Sequence, residues 1–278
     1  MLPDRVKKIL DEITNERLGG ASYLAKKAAE AYIILLKDEA FFNRDYVKEL
    51  SEILIEKLPS VASVYNIAAK MLREAKNAQT TRNEMLKIAE EYFKNIEVAR
   101  EKVAKRFLNL VRESEITVIT HSYSAAVLAT LKELKAQGTS LKVIVTESRP
   151  DFEGIQLANA LENLEITYEI ITDAQIGLWV KEADMAITGA DCVTRDLYVI
   201  NKAGTFLLAL SAHHYGVPFY VVAEEYKFHP VARTGDEIRL MERSLEVLKK
   251  PVRNILFDVT PPELINAIVT ESKIIKIH

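Results

Sequence analysis

The stretch ITVIT (116–120), followed after one helical-period segment by LKVIVTE (141–147), decides the fold. Both runs are short, rich in β-branched residues and apolar almost throughout, the pattern of strands covered on both faces rather than strands facing water. Toward the C-terminus the same texture returns in TYEIIT (167–172), MAITGA (185–190), FYVVA (219–223) and ILFDV (255–259). Short apolar runs alternating with helical segments are the signature of βαβ units. They predict a Rossmann-like α/β domain with a doubly wound, mainly parallel sheet over residues 113–278.

In the other direction, residues 1–112 show apolar positions at helical spacing and no period-two alternation, which predicts an N-terminal helical domain. GASYLAKKAAEAYIILLKD reads as one helix. Asn43 or Asp45 caps DYVKELSEILIEKL, Pro59 stops it, and Ser60 caps the next helix, VASVYNIAAKMLREAKN. A last helix from about Asn83 to Arg112 places Met85, Ile88, Ala89, Tyr92, Phe93 and Ile96 on one stripe and reaches into the second domain.

At 278 residues and 49% apolar, the chain can bury a substantial core as one or two domains. No run approaches the ~18 apolar residues of a membrane span, and MLPDRVKKILDEI lacks an apolar signal core, so a cytoplasmic location is expected. With 37 basic and 40 acidic side chains the net charge is −3, which gives nucleic acid no global attraction. Cys192 is the only cysteine, excluding an intramolecular disulfide and a cysteine-based zinc site; its default reading is a small buried hydrophobe. Neither a metal nor an organic cofactor is expected.

Ligands of a doubly wound sheet bind beyond the carboxyl ends of its strands, so the residues after each run are the candidates. These are Thr120-His121-Ser122-Tyr123-Ser124, then Glu147-Ser148-Arg149-Pro150, Thr172-Asp173 and Gly189-Ala190-Asp191. Asn201-Lys202-Ala203-Gly204-Thr205 precedes the helical FLLALSAHHYG and offers a cation beside free N–H groups at a positive helix end, chemistry suited to phosphate. The plainer reading is that Arg149 and Lys202 neutralise Asp191 and Glu147. No GxGxxG or GxxxxGK[ST] occurs, which argues against a dinucleotide site of the usual kind or a P-loop. Arg17-Leu18-Gly19-Gly20-Ala21 opens a helix whose glycines either let backbone approach a ligand or form an ordinary turn. His213 and His214 lack a metal-site spacing and read as packing or surface residues, and Trp179 fits a core stripe with Ile176 and Val180.

The motifs VITHSYSAAVLATL, VTESRPDFEGIQLANAL, ITDAQIGLWVKEADMAITGAD, NKAGTFLLALSAHHYGVPFYVVAEEYKF and FDVTPPELI, in that order, resemble the translation initiation factor 2B alpha, beta and delta regulatory subunits. That family shares its fold with methylthioribose-1-phosphate and ribose-1,5-bisphosphate isomerases, and RLGGA is a looser match to the isomerases' arginine-glycine segment. In the isomerase branches the resemblance assigns catalysis to a cysteine after the first strand and to the aspartate of a glycine-alanine-aspartate motif. Here those positions are Ser122 and Asp191. A thiol of pKa ~8.5 can be tuned to carry a proton near neutrality, whereas a serine needs a neighbouring base. His121 is a poor one, because adjacent side chains on an extended segment face opposite ways. Cys192, next to Asp191, should face away from it by the same geometry.

The resemblance therefore implies an alpha-like regulatory subunit that is homodimeric through its C-terminal domain and non-catalytic, with initiation factor 2 as its partner. It implies a sugar-phosphate or nucleotide pocket in which Arg149, Asn201 and Lys202 meet phosphate and Asp191 meets ribose hydroxyls, with Lys227 a further ligand- or phosphate-binding candidate. Arg17, Gly19, Gly20, Ser122 and Glu147 complete the candidate set. The alternative is an aldose-ketose isomerase of a ribose phosphate, with Asp191 as acid/base and Ser122 or Cys192 as its partner.

Overall fold

The computed structural model describes residues 2–16, 19–39, 42–247 and 249–278. Five helices come first: α1 (Asp4–Asn15), α2 (Gly20–Lys37), α3 (Arg44–Lys57), α4 (Ala62–Lys76) and α5 (Arg82–Phe107). Every strand among the described residues lies beyond them. No described helix is long and apolar enough to cross a membrane.

The helical stripes meet in one cluster, where Val6, Tyr32, Leu36, Leu50, Leu54, Ile67 and Met71 are fully buried. Asn43 caps α3 through the amide of Asp45. Ser60 does not cap α4. Val61 occupies that position, and the Ser60 hydroxyl instead donates to the Arg239 carbonyl and accepts from the Met241 amide, tying the helices to a segment 180 residues on. Helix α5 opens with a Thr81–Glu84 capping box, and at ~1.5 Å per residue its 26 residues reach from one core to another. Met85 and Ala89 belong to the helical cluster, Val103 and Phe107 to the sheet's. Phe93, expected on the buried stripe, is 38% exposed and lies under the Lys26 ammonium.

The main sheet has seven strands in the order β12-β11-β7-β4-β1-β2-β3. These are β1 (Glu115–Thr120), β2 (Ser140–Thr146), β3 (Thr167–Ile171), β4 (Met185–Thr188), β7 (Phe219–Val222), β11 (Ala267–Val269) and β12 (Ile274–Lys276), all parallel except β12. The faces are covered by α6 (Ala125–Ala136), α7 (Glu153–Asn163), α8 (Ile176–Trp179) and α9 (Thr205–Tyr215). Val118, Val143 and Val145 pack on one side, and Ile119, Ile144 and Val221 on the other, as two-sided burial requires.

One expected strand of this sheet lies elsewhere. ILFDV contributes to β10 (Phe257–Thr260), which runs antiparallel to β6 (Val199–Lys202) in a separate three-stranded sheet with β5 (Cys192–Val193). Its residues are only half-buried up to Thr260, unlike a covered central strand, and its place is taken by the fully buried three-residue β11. A hairpin of β8 (Leu245–Val247) and β9 (Lys250–Val252) precedes it. Trp179 is likewise no core residue: Ile176 and Val180 are buried, but Trp179 at the end of a four-residue helix is 36% exposed. His213 and His214 are exposed on α9.

Strand order fixes where a ligand can sit. Strand β1 has β2 on one side and β4 on the other, so the connections leaving β1 and β4 diverge and open a crevice between them. The residues that follow these two strands are Ser122 and Asp191.

Candidate functional site

The chain leaving β1 turns sharply at Ser122, whose φ is +67°. A relay of buried groups fixes that turn. His121, 1% exposed, has Nε2 2.9 Å from the Ala203 carbonyl and Nδ1 2.7 Å from the Thr146 hydroxyl. A carbonyl only accepts, so Nε2 carries the proton and Nδ1 accepts from Thr146. Burial pushes the imidazole below its ordinary pKa, against the pull of Asp173, which keeps it neutral. Thr146 contacts the Ser148 hydroxyl at 2.9 Å, and that hydroxyl accepts the Ser122 amide at 2.7 Å. His121 thus orients Ser122 without reaching its hydroxyl.

The Ser122 hydroxyl donates to Glu153 Oε2 at 2.5 Å. Lys202, 7% exposed along its side chain, reaches Glu153 Oε1 at 3.1 Å and Asp151 at 3.5 Å. Arg243 comes in from the segment before β8, 3.4 Å from Asp151, and donates to the Glu16 carbonyl at 3.2 Å. The sequence reading missed Asp151, Glu153 and Arg243. The first two lie inside the RPDFEG motif, whose arginine is the residue type that suggests a phosphate site, while Arg243 sits in a stretch without any motif.

Asp191 follows β4. Its backbone is bonded to Ile200 and Ala62, but its carboxylate makes no hydrogen bond among the described residues. Burial pushes its pKa up to about 6, with Lys227 opposing and Glu153 assisting. Lys227 is 3% exposed and pairs with the fully buried Glu224 at 2.8 Å. Asn201 donates to Thr205 at 2.9 Å. Cys192 faces the other way, into a core with Ala62, Ile200, Ala232 and Ile238, where burial pushes its thiol up to about 12.

Gly19, Gly20, Ser122, Asp191, Asn201, Lys202 and Lys227 all line one cavity of about 110 Å³, several times the ~15 Å³ that a single water needs. Gly20 adopts φ +64°, outside the comfort of other residues. Two expected residues are not brought there. Glu147 is half-buried outside the cavity. Arg149 is exposed, its guanidinium stacked 4.8 Å from the Phe152 ring. The cause is local: Ser148 takes φ +59°, and Asp173 grips the Ser148 and Arg149 amides at 2.8 Å each, which turns the arginine outward. Nor does Lys202 pair with Asp191, as the plainer reading had it. Arg17 and Leu18 lie outside the described residues.

The expected anion site at the start of α9 is already filled. Asp258, its pKa raised to about 6 by burial, accepts the Gly204 amide at 2.6 Å and the Phe206 amide at 3.1 Å. The helix openings that face the cavity are instead those of α2 and α6, through Gly19–Ser22 and Ser122–Ala125. First-turn amides lack acceptors within their own helix; at α2 the Glu16 carboxylate accepts the Gly19 amide at 2.9 Å, and at α6 the Ser124 hydroxyl accepts the Val127 amide at 3.4 Å. No group of three or more His, Cys, Asp or Glu suited to a metal occurs among the described residues.

Asp191 gives a stability prediction. A carboxyl whose pKa is about 6 folded and 3.8 unfolded binds its proton more tightly in the folded state. It therefore destabilises the fold progressively as pH rises from 4 to 6, and fully above that. Asp191→Asn is expected to stabilise the protein at pH 8 by about 1–2 kcal/mol, less than the ~3 of a two-unit shift because one side faces the cavity. The gain should vanish below about pH 4. Urea denaturation across pH checks this, and a destabilised variant at pH 8 would contradict it.

A mixed, mostly parallel sheet with helices before and around it, and a charged pocket at its switch point, defines a Rossmann-like α/β protein. The chain belongs to the initiation factor 2 subunit family, whose model matches residues 19–276. It is 48% identical, over 99% of its length and 98% of the relative's, to a Pyrococcus furiosus protein named for its likeness to translation initiation factor eIF-2B subunit 2. A ribose 1,5-bisphosphate isomerase of Methanocaldococcus jannaschii is 32% identical over 96% of this chain and 90% of that one. The crystal structure of Pyrococcus horikoshii translation initiation factor eIF-2B superposes with a TM-score of 0.92 at 44% identity, covering 99% of this chain and 98% of that one. The 5-methylthioribose 1-phosphate isomerase of the same organism shares the fold at 19% identity, with a TM-score of 0.74 over 98% of this chain and 84% of that one. So does a chain of the tetrameric eIF2B β2δ2 complex of C. thermophilum, at 17% identity and a TM-score of 0.73 over 98% and 90%. The resemblance read from the motifs, and the fold it implied, are thus borne out.

Proposed function

We propose that this chain is an eIF-2B-like regulatory subunit of the archaeal type that binds a sugar phosphate or nucleotide in the Ser122–Asp191 pocket, does not turn it over, and interacts with initiation factor 2. The observation that carries this reading is the absence of a thiol from the pocket walls. Ser122 stands where the resemblance expects the isomerases' cysteine, and Cys192 is committed to a separate core. The pocket otherwise keeps groups suited to a phosphorylated sugar: the opening of α6 for phosphate, and Asp191, Glu153 and Asn201 for hydroxyls. Arg17 is proposed to add to the phosphate site. Arg149 is not part of it.

The proposed assembly is a homodimer through the sheet domain. Leu178, Trp179, Leu207, Leu210 and Tyr215 on α8 and α9 are 36–65% exposed, an apolar surface of the kind that subunit contacts cover. A role beside initiation factor 2 implies a cytoplasmic site of action.

A second reading, aldose-ketose isomerisation, is favoured by the Ser122–Glu153 hydrogen bond, since Glu153 is the neighbouring base that a serine would need. A hydroxyl yields its proton to a carboxylate far less readily than a thiol does, which ranks this reading second.

Sedimentation velocity of the chain alone and mixed with archaeal initiation factor 2 tests the regulatory role. A dimer that forms a faster-sedimenting complex with the factor is expected. A chain that stays apart from the factor, with and without AMP or ribose 5-phosphate, would overturn it.

A further inference from the structure

We infer that the antiparallel ribbon running from Met241 to Leu256 is a docking finger, whose outer end enters an apolar cleft with an acidic rim on a partner protein. The inference rests on the regulatory reading above and says which part of this chain meets the partner. The ribbon keeps one unbroken register. The Leu256 amide donates to the Met241 carbonyl and the Arg243 amide to the Asn254 carbonyl, both at 2.9 Å, Glu242 bridges Ile255, and Leu245 and Val247 pair with Val252 and Lys250. Its root is held: the Met241 amide donates to the Ser60 hydroxyl at 3.0 Å, and Met241 and Arg243 line the pocket. The outer end is uncovered, with Lys249, all of β9 and Arg253 exposed.

A two-stranded ribbon is marginally stable by itself in water, so an uncovered one fits a surface that receives it. KKPVR (249–253) holds three cations and no acid. Arg253 lies 3.7 Å from Glu242, an exposed pair that holds little. Side chains alternate along a strand, which puts Lys250 and Val252 on one face and Pro251, Arg253 and Ile255 on the other. Val252 is 41% exposed and Ile255 39%. Each face thus presents an apolar side chain beside a cation, which suits insertion into a cleft rather than contact with a flat surface. Pro251 lacks an amide, and proline and lysine blunt a strand edge, so the contact is made by side chains and not by an added strand. A second copy of the chain is a poor occupant, because a twofold contact between two such ribbons sets the same cations against one another. An acidic rim removes that repulsion and draws the finger in.

Isothermal titration of archaeal initiation factor 2 into the full chain, with sedimentation velocity of the chain alone, tests this. The double substitution Lys249→Glu with Lys250→Glu reverses two charges, and Val252→Ser with Ile255→Ser removes the apolar contacts; none of the four residues lines the pocket. Each double variant is expected to weaken the complex at least about tenfold, a difference of ~1.4 kcal/mol, while sedimenting alone as wild type does. Added salt should weaken the wild-type complex more than the charge-reversed one. Both variants binding the factor as tightly as wild type would overturn the finger while leaving the regulatory reading intact. A variant that changes the oligomer of the chain alone would overturn it as well, by making a second copy the occupant. A wild-type chain that does not bind the factor would instead overturn the regulatory reading, and the finger with it.

Discussion

Gly154→Ala is expected to destabilise the fold by at least about 3 kcal/mol, more than an ordinary surface-helix substitution, for which Ala would help rather than harm. A Cβ at residue 154 would stand 1.7 Å from the Thr146 carbonyl oxygen, 2.9 Å from its carbon and 3.2 Å from the Glu147 carbonyl carbon. All three are backbone atoms at the end of β2, so no side chain can rotate aside. The first turn of α7 has to move outward, and Glu153 moves with it, away from Ser122 and Lys202. Urea denaturation should show the loss together with weakened ligand binding. A variant as stable as wild type would show that α7 does not pack this closely.

Lys202→Met carries the second large effect. Its ammonium is the charge shared by Asp151 and Glu153, whose side chains are 16% and 14% exposed. Removing one partner of a buried ion pair typically costs ~3–5 kcal/mol because the other charge is stranded. Arg243 stays on Asp151 and Ser122 on Glu153, so the expected loss falls at or below the lower bound of that range, about 2–3 kcal/mol. A double-mutant cycle identifies the cause: in a Glu153→Gln background the same substitution should cost visibly less. Equal costs in both backgrounds would mean that Lys202 stabilises through packing alone.

The architecture was legible because strands buried on both faces and amphipathic helices each write a period into the sequence. ITVIT and LKVIVTE announced the central strands, and the Asn83–Arg112 run announced the helix that joins two cores. What a period cannot encode is the pairing partner. ILFDV has the composition of a central strand, yet it pairs with β6, while Ala267–Val269, too short to register as a run, takes the central place. Ser60 shows the same limit for caps, since its hydroxyl is claimed by residues 239 and 241.

The pocket was legible by position and less so by partner. Reading the residues after each strand points to Ser122, Asp191, Asn201 and Lys202, which line one cavity. Arg149 was misplaced because a left-handed Ser148 and the grip of Asp173 set its direction, and neither is visible in a pattern of residue types. The start of α9 looked free because Asp258, which fills it, is more than fifty residues downstream. Glu153 was passed over although it is the closest partner of Ser122. Its significance depends on a turn that brings the second and first strand ends together.

The most direct test of a pocket that holds a phosphorylated sugar without converting it is 13C NMR of C1-labelled ribose 5-phosphate and methylthioribose 1-phosphate mixed with the protein. The account predicts ligand resonances broadened by binding, no ketose signal over prolonged incubation, and sharp lines again when excess AMP competes. A ketose resonance that grows with wild type and is absent with Asp191→Asn would contradict it and make the protein an isomerase.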